Sequence, residues 1–159
     1  PPPGRSSDRP VRQSAQRQGL KNVQILQYDA EKSLPFADET FDVILLDAPC
    51  SGTGTIRHNP EIRYHLQEKD FIELSIKQLK ILQNASKILK RDGRLIYSTC
   101  SLEKEENEEV IEKFLNENKE FSVIENDIYA KFATKKWFAR TFPHRDAIDG
   151  FFIVTLKKS

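Results

Sequence analysis

Methionine is absent from this sequence, and an initiator is absent with it. A chain of this kind is expected of a processed product or of a piece of something longer. Only two cysteines occur, Cys50 and Cys100. One bridge would add little to a domain of this size in a reducing compartment, so two free thiols are the expectation. Neither cysteine has a second Cys or His at zinc-ligand spacing, and His58 and His65 have no correctly spaced partner, which argues against a metal site. Glycine is sparse, with six residues, and Gly52 and Gly54 lack the Lys-Ser/Thr that follows in a phosphate-binding loop. No apolar run approaches the roughly 18 to 20 residues that span a bilayer, and no apolar core of a secretion signal opens the chain. A cytoplasmic protein without membrane contact is therefore expected. Internal repeats are absent.

What is present suits one α/β domain. The 159 residues are 38% hydrophobic, enough for a single core. A net charge of +1 conceals segregation: residues 103 to 120 hold eight glutamates against three lysines, while residues 131 to 145 hold five Lys or Arg and no acid. Such asymmetry allows a basic face for nucleic acid. Residues 1–10 are rich in Pro, Ser and Arg without hydrophobic period, and read as a tail or non-native segment preceding a domain over 11–159. Val11 to Leu20 is helix-compatible, with Gly19 as its cap. Val23 to Tyr28 alternates as a strand and ends in Asp29.

The stretch Phe41 to Pro60 concentrates the chemistry. Val43, Ile44, Leu45 and Leu46 form an unbroken apolar run, read as a strand buried on both faces, and the run ends in Asp47. Pro49, Cys50, Ser51, Gly52 and Gly54 then turn the chain sharply. Beyond Asn59-Pro60, a helical turn over Glu61 to Leu66 precedes Ile72, Ile76, Leu79, Leu82, Ala85 and Leu89, whose spacing predicts a helix with one face on a sheet. Asp92-Gly93 should end it. Arg94 to Thr99 is a strand that delivers Cys100, Ser101 can cap a helix carrying Val110, Ile111, Phe114 and Leu115, and Gly150 to Leu156 is a last strand. Alternating strands and helices predict a doubly wound, mainly parallel sheet, with Asp29, Asp47, Cys50 and Cys100 at its carboxyl rim, where ligands bind in such folds.

These residues carry a resemblance. DAPCSGTG at 47 to 54 followed by RHNP, YSTCSLEKEENE at 97 to 108, and DGFFIVTLKK at 149 to 158 resemble the successive motifs of RNA cytosine carbon-5 methyltransferases of the Nop/Sun class. The likeness runs in order from about Gly19 to Leu156. It implies a Rossmann-like fold, S-adenosyl-L-methionine as cofactor, and ribosomal or transfer RNA as partner, with a monomer expected.

Carbon 5 of cytosine is a poor nucleophile until carbon 6 is attacked, and a thiolate suits both that attack and later departure. An acid at ring nitrogen 3 stabilises the charge that develops. The resemblance makes Cys100 the nucleophile, Cys50 the thiol that helps release product, and Asp47 the carboxylate near cytosine and cofactor. It makes Asp29 the acid that touches the nucleoside part of the cofactor. Arg57, His58 and Arg63 are candidates for RNA phosphate contact, with the cytosine single-stranded or flipped out. Lys131, Lys135, Lys136 and Arg140, interleaved with Phe132, Trp137 and Phe138, form either a stacking surface or core aromatics beside solvated lysines. His144 and Asp149 match a C-terminal motif and are read as structural.

One departure bears on the cofactor. The family's glycine-rich loop after its first strand, and the acid after its second, are not found here. The expectation is the C-terminal part of a catalytic domain lacking its first two strands, with weak cofactor binding. Two other readings stay open: an RNA-binding or scaffold remnant without turnover, and an enzyme acting on DNA or a small molecule, which would use Cys50 as the attacking thiol.

Overall fold

The computed structural model describes residues 9–125, 132–135 and 137–159. The chain divides into two units, Pro1–Ala30 and Glu31–Ser159. In the first, helix α1 (Arg9–Arg17) begins inside the segment read as a tail. Proline at the second position of a helix has no amide that the first turn would use, so Pro10 does not obstruct it. Gly19 closes the helix at φ +69°, the left-handed cap expected of it. Val23 to Tyr28 forms no strand, contrary to its alternation, and its residues are mostly exposed. A strand is held by a ladder to a neighbouring strand, and among the described residues no ladder forms over this segment. Asp29 therefore does not follow a strand.

The second unit holds a six-stranded sheet in the order β1-β2-β6-β5-β4, with β3 also against β6. Its strands are β1 (Phe41–Asp47), β2 (Leu89–Thr99), β3 (Phe121–Val123), β4 (Ala133–Lys135), β5 (Phe138–Arg140) and β6 (Phe152–Lys158). Its helices are α2 (Ile62–His65), α3 (Glu68–Ile88), α4 (Glu108–Glu117) and α5 (Pro143–Asp146). Among the described residues only β1 and β2 run parallel, and the other four pairings are antiparallel, which corrects the mainly parallel expectation. The parallel pair is the one that needs a long crossover, and α3 supplies it. The antiparallel pairings centre on β6, which runs against β2, β3 and β5.

Leu79, Leu82 and Ala85 of α3 and Val110, Ile111 and Phe114 of α4 pack with Leu95, Tyr97, Phe152, Val154 and Leu156 of the sheet. Ile72 and Ile76, expected on the same buried stripe, are exposed, because the first half of α3 runs past its packing partners. Strand β1 is at the edge of the sheet, so Val43 (57% exposed) and Leu45 (66%) face outward instead of being buried on both sides. Helix α3 ends at Ile88, four residues early; Asp92, at φ +61°, and Gly93 lie in a bulge of β2 opposite Phe41 to Val43. Among the described residues no helix is long and apolar enough to cross a membrane.

Candidate active site

Strands β1 and β2 are in register from Val43 opposite Arg94 to Asp47 opposite Ser98, so both end at one rim. The chain leaving β1 is tied down at once: Ala48 donates its amide to the Ser98 carbonyl at 2.9 Å. Gly52 adopts φ +74°, a left-handed turn that glycine takes without strain. Gly54 serves closeness instead. Its amide donates to the Cys100 carbonyl and its carbonyl accepts from the Gly150 amide, both at 2.9 Å, so three loops distant in sequence share one backbone junction.

That junction brings the sulfurs together. Cys50 Sγ and Cys100 Sγ are 3.2 Å apart, both as free, half-buried thiols. Burial first, and then the hydrogen bond with Cys100, push the Cys50 thiol up to about 12. Cys50 therefore keeps its proton at neutral pH and can donate S–H to its neighbour. Asp47, at the end of β1, is exposed and accepts from the Ser98 hydroxyl at 3.4 Å. A cleft of about 730 Å³ lined by Asp38, Glu39, Lys87, Glu117 and Lys158 lies at the other end of β1 and takes no part in this arrangement.

Beneath the thiols is a polar cluster that the spacing of residues did not reveal. Glu106 is 0% exposed. Its carboxylate accepts the Ser51 amide at 2.9 Å, the Ser51 hydroxyl, the Ser101 hydroxyl at 2.8 Å and Gln78 Nε2 at 2.9 Å. Gln78 Nε2 also donates to the Pro49 carbonyl at 2.9 Å. Asn107 donates to the Ser101 carbonyl at 2.9 Å and accepts from the Thr99 hydroxyl at 2.5 Å, while the Tyr97 hydroxyl donates to the Glu106 carbonyl at 2.7 Å. Ser101 is thus bound to Glu106 and does not cap α4, whose N-cap is Asn107. One signal was available: Gln78 is a polar residue four positions before Leu82 on the apolar stripe of α3.

Arg57, His58 and Arg63 are all exposed on the segment after the Cys50 loop. His58 Nε2 is 3.4 Å from Asp149 Oδ1, joining this segment to the C-terminal motif, and the Arg63 guanidinium sits 5.7 Å from the Tyr64 ring centre. His144, on α5, stacks obliquely near Phe142. Arg140 is not a surface residue: it is buried, paired with Glu108 at 2.8 Å and held among the Phe138, Phe142 and Phe152 rings. Phe138 is core and Trp137 packs against it, whereas Lys131, Lys136 and the side chain of Lys135 lie outside the described residues. Asp29 is in the first unit, and Asp47 at the rim of the second.

Two loops carrying thiols at the ends of parallel strands, joined to a third loop through Gly54 and Gly150, span the segments whose motifs carry the resemblance. A family model described as 16S rRNA methyltransferase RsmB/F matches residues 5–157. The chain belongs to this family. Among RsmB/F relatives, it is 36% identical over 154 residues to the probable ribosomal RNA small subunit methyltransferase B of Bacillus subtilis, covering 93% of this chain and 34% of that protein. It is 34% identical to the ribosomal RNA small subunit methyltransferase F of Aliivibrio salmonicida, covering 92% of this chain and 32% of that one. The crystal structure of NSun6 from Pyrococcus horikoshii with SFG superposes with a TM-score of 0.81 at 32% identity, over 96% of this chain and 39% of that one. The fold is that of Rossmann-like S-adenosylmethionine-dependent methyltransferases. The RsmB/F chain spans about a third of the length of the curated relatives it matches.

Proposed function

We propose that this chain carries the chemistry of cytosine carbon-5 methylation in ribosomal RNA. The observation that carries the reading is the 3.2 Å approach of Cys50 and Cys100 at the rim where β1 and β2 end. A pure binding module has no use for two thiols held this way. Cys100 Sγ, its proton released to solvent, attacks carbon 6 of the cytosine as the thiolate, which raises electron density at carbon 5. S-adenosylmethionine, when bound, supplies the methyl group. After transfer, the carbon-5 proton leaves to a base and the bond from carbon 6 to Cys100 breaks. Cys50, protonated at neutral pH, is within reach to hand its proton to the departing sulfur. Asp47 and ring nitrogen 3 share one proton, which moves onto the nitrogen as carbon 6 is attacked, and Arg57, His58 and Arg63 meet the RNA backbone.

Asp47, at the rim of the second unit, is the side chain proposed to touch the cofactor. The neighbour solved with SFG, an analogue of S-adenosylmethionine, supports that cofactor for the family. The residues present fit it only in part, for no glycine-rich loop follows a strand and the β1 edge is open. Residues 11–159 therefore act as the C-terminal part of a catalytic domain, and the chain alone binds S-adenosylmethionine more weakly than micromolar by calorimetry. Micromolar binding would overturn that reading.

The function is tested with RNA carrying a cytosine analogue that traps the covalent intermediate, in the presence of S-adenosylmethionine. The adduct is expected with wild type, lost in Cys100→Ala, and retained or accumulated in Cys50→Ala. The reverse pattern would make Cys50 the attacking thiol and favour a DNA or small-molecule substrate. RNA binding without adduct in every variant would favour the second reading, an RNA-binding protein without turnover.

A further inference from the structure

We propose that Glu106 is the positioning residue that sets the separation of the two thiols, by fastening both cysteine loops to one buried carboxylate. The inference rests on the reading of Cys50 and Cys100 as a working pair. Each cysteine is followed directly by a serine, and both serines end on Glu106. Ser51 gives it an amide at 2.9 Å and a hydroxyl, and Ser101 gives it a hydroxyl at 2.8 Å. Gln78 of α3 binds the same carboxylate and the Pro49 carbonyl, both at 2.9 Å, so the Cys50 loop is gripped on either side of the thiol. The Cys100 loop is gripped from the other direction by Asn107, which takes the Ser101 carbonyl at 2.9 Å. A carboxylate offers only acceptor positions, and every contact here is a donor, which satisfies the group without water. Glu106 and Asn107 directly precede α4, whose Val110, Ile111 and Phe114 are buried in the core, so the clamp is continuous with a packed helix.

Glu106 touches neither sulfur by any contact described above, so its effect is on distance, and distance is what thiol exchange measures. Equilibration with reduced and oxidised glutathione reads the effective concentration of one thiol toward the other. Cys100 attacks the glutathione disulfide and expels one glutathione thiolate. Cys50, on losing its proton to solvent, attacks the Cys100 sulfur and expels the second, so two protein thiols are oxidised as one disulfide is reduced to two thiols. Glu106→Ala should lower this effective concentration by about tenfold or more, because both loops lose their common anchor. Glu106→Gln should stay within about threefold of wild type: its amide oxygen still accepts the Ser51 amide and Gln78, and its amide nitrogen can donate to the serine hydroxyls once these rotate. Leu156→Val, a core change in β6 away from the loops, should leave the value unchanged while lowering the melting temperature. Should Glu106→Ala fail to fold, Ser101→Ala frees only the Cys100 loop and should give an intermediate loss. The inference is overturned if Glu106→Ala or Ser101→Ala matches wild type, if Gln falls as far as Ala, or if Leu156→Val falls with them. Failure of RNA methylation would leave these outcomes untouched, so the two readings can fail separately.

Discussion

Alanine at position 54 would place its Cβ 2.1 Å from the Gly150 carbonyl oxygen, 2.7 Å from the Gly150 carbonyl carbon and 2.8 Å from the Cys100 carbonyl oxygen. All three are backbone atoms, so no side-chain rotation relieves the overlap. The loops must separate by roughly an ångström, and the two hydrogen bonds of Gly54, to Cys100 and from Gly150, go with that movement. Each contributes about 1 kcal/mol, and forcing an extra carbon into a packed site costs a further ~1 to 3 kcal/mol. The sum is about 3 to 5 kcal/mol, or roughly 10 °C of melting temperature for a domain of this size. Melting of wild type and Gly54→Ala, followed by circular dichroism, measures it directly. Glutathione equilibration on the same samples should show the thiol pair loosened, since the displaced carbonyl belongs to Cys100 itself. A melting temperature within about 2 °C of wild type, with unchanged thiol exchange, would refute the idea that one backbone junction holds the three motif loops together.

Cys50 should still be gaining reactivity toward iodoacetamide above about pH 9.5, read by peptide mass spectrometry, because burial and Cys100 push its thiol up to about 12. The unfolded thiol ionises first, so this group makes stability fall as pH rises above about 8.5, and a Cys50 labelling plateau by pH 9.5 would contradict it. Glu108→Ala leaves the buried Arg140 guanidinium without its partner, with Nε already unbonded, and should cost about 3 kcal/mol. Arg140→Leu removes the charge along with the need for a partner and should cost less, and the opposite order in urea melts would sink this account. Leu82→Ala should cost about 2 to 5 kcal/mol, whereas Leu45→Ala, on the open face of β1, should cost under about 1 kcal/mol. Equal losses in the two would mean that the β1 face is covered in solution.

The alternation of Val23 to Tyr28 is what a strand looks like, yet it forms none, because pairing partners and not alternation decide whether a strand exists. The apolar run of β1 likewise reads as buried on both faces. Its place at the sheet edge leaves Val43 and Leu45 outward, a fact of neighbours that the run itself does not contain. Arg140 sits in a basic stretch, and only the ion pair with Glu108 takes it out of contention for a surface. By contrast, α3 is legible from its periodicity, and the two strands preceding Cys50 and Cys100 and the final strand from short apolar runs ended by turn or polar residues.

By itself, the sequence determined the residue types available to the chemistry: two thiols, a strand-end carboxylate and glycines in the turns beside them, in motifs that carry the family. It determined the α3 crossover too, and through it that β1 and β2 could lie parallel. Only the tertiary structure decided that the sulfurs lie 3.2 Å apart and that Glu106 receives both cysteine loops. It also decided that Gly54 and Gly150 are glycines for want of space, the first against the Gly150 and Cys100 backbone and the second against the Leu102 side chain and Gly54 Cα. Those facts depend on groups some fifty to a hundred positions apart, and such distances are fixed when the sheet and helices pack around a common core, which no local pattern encodes.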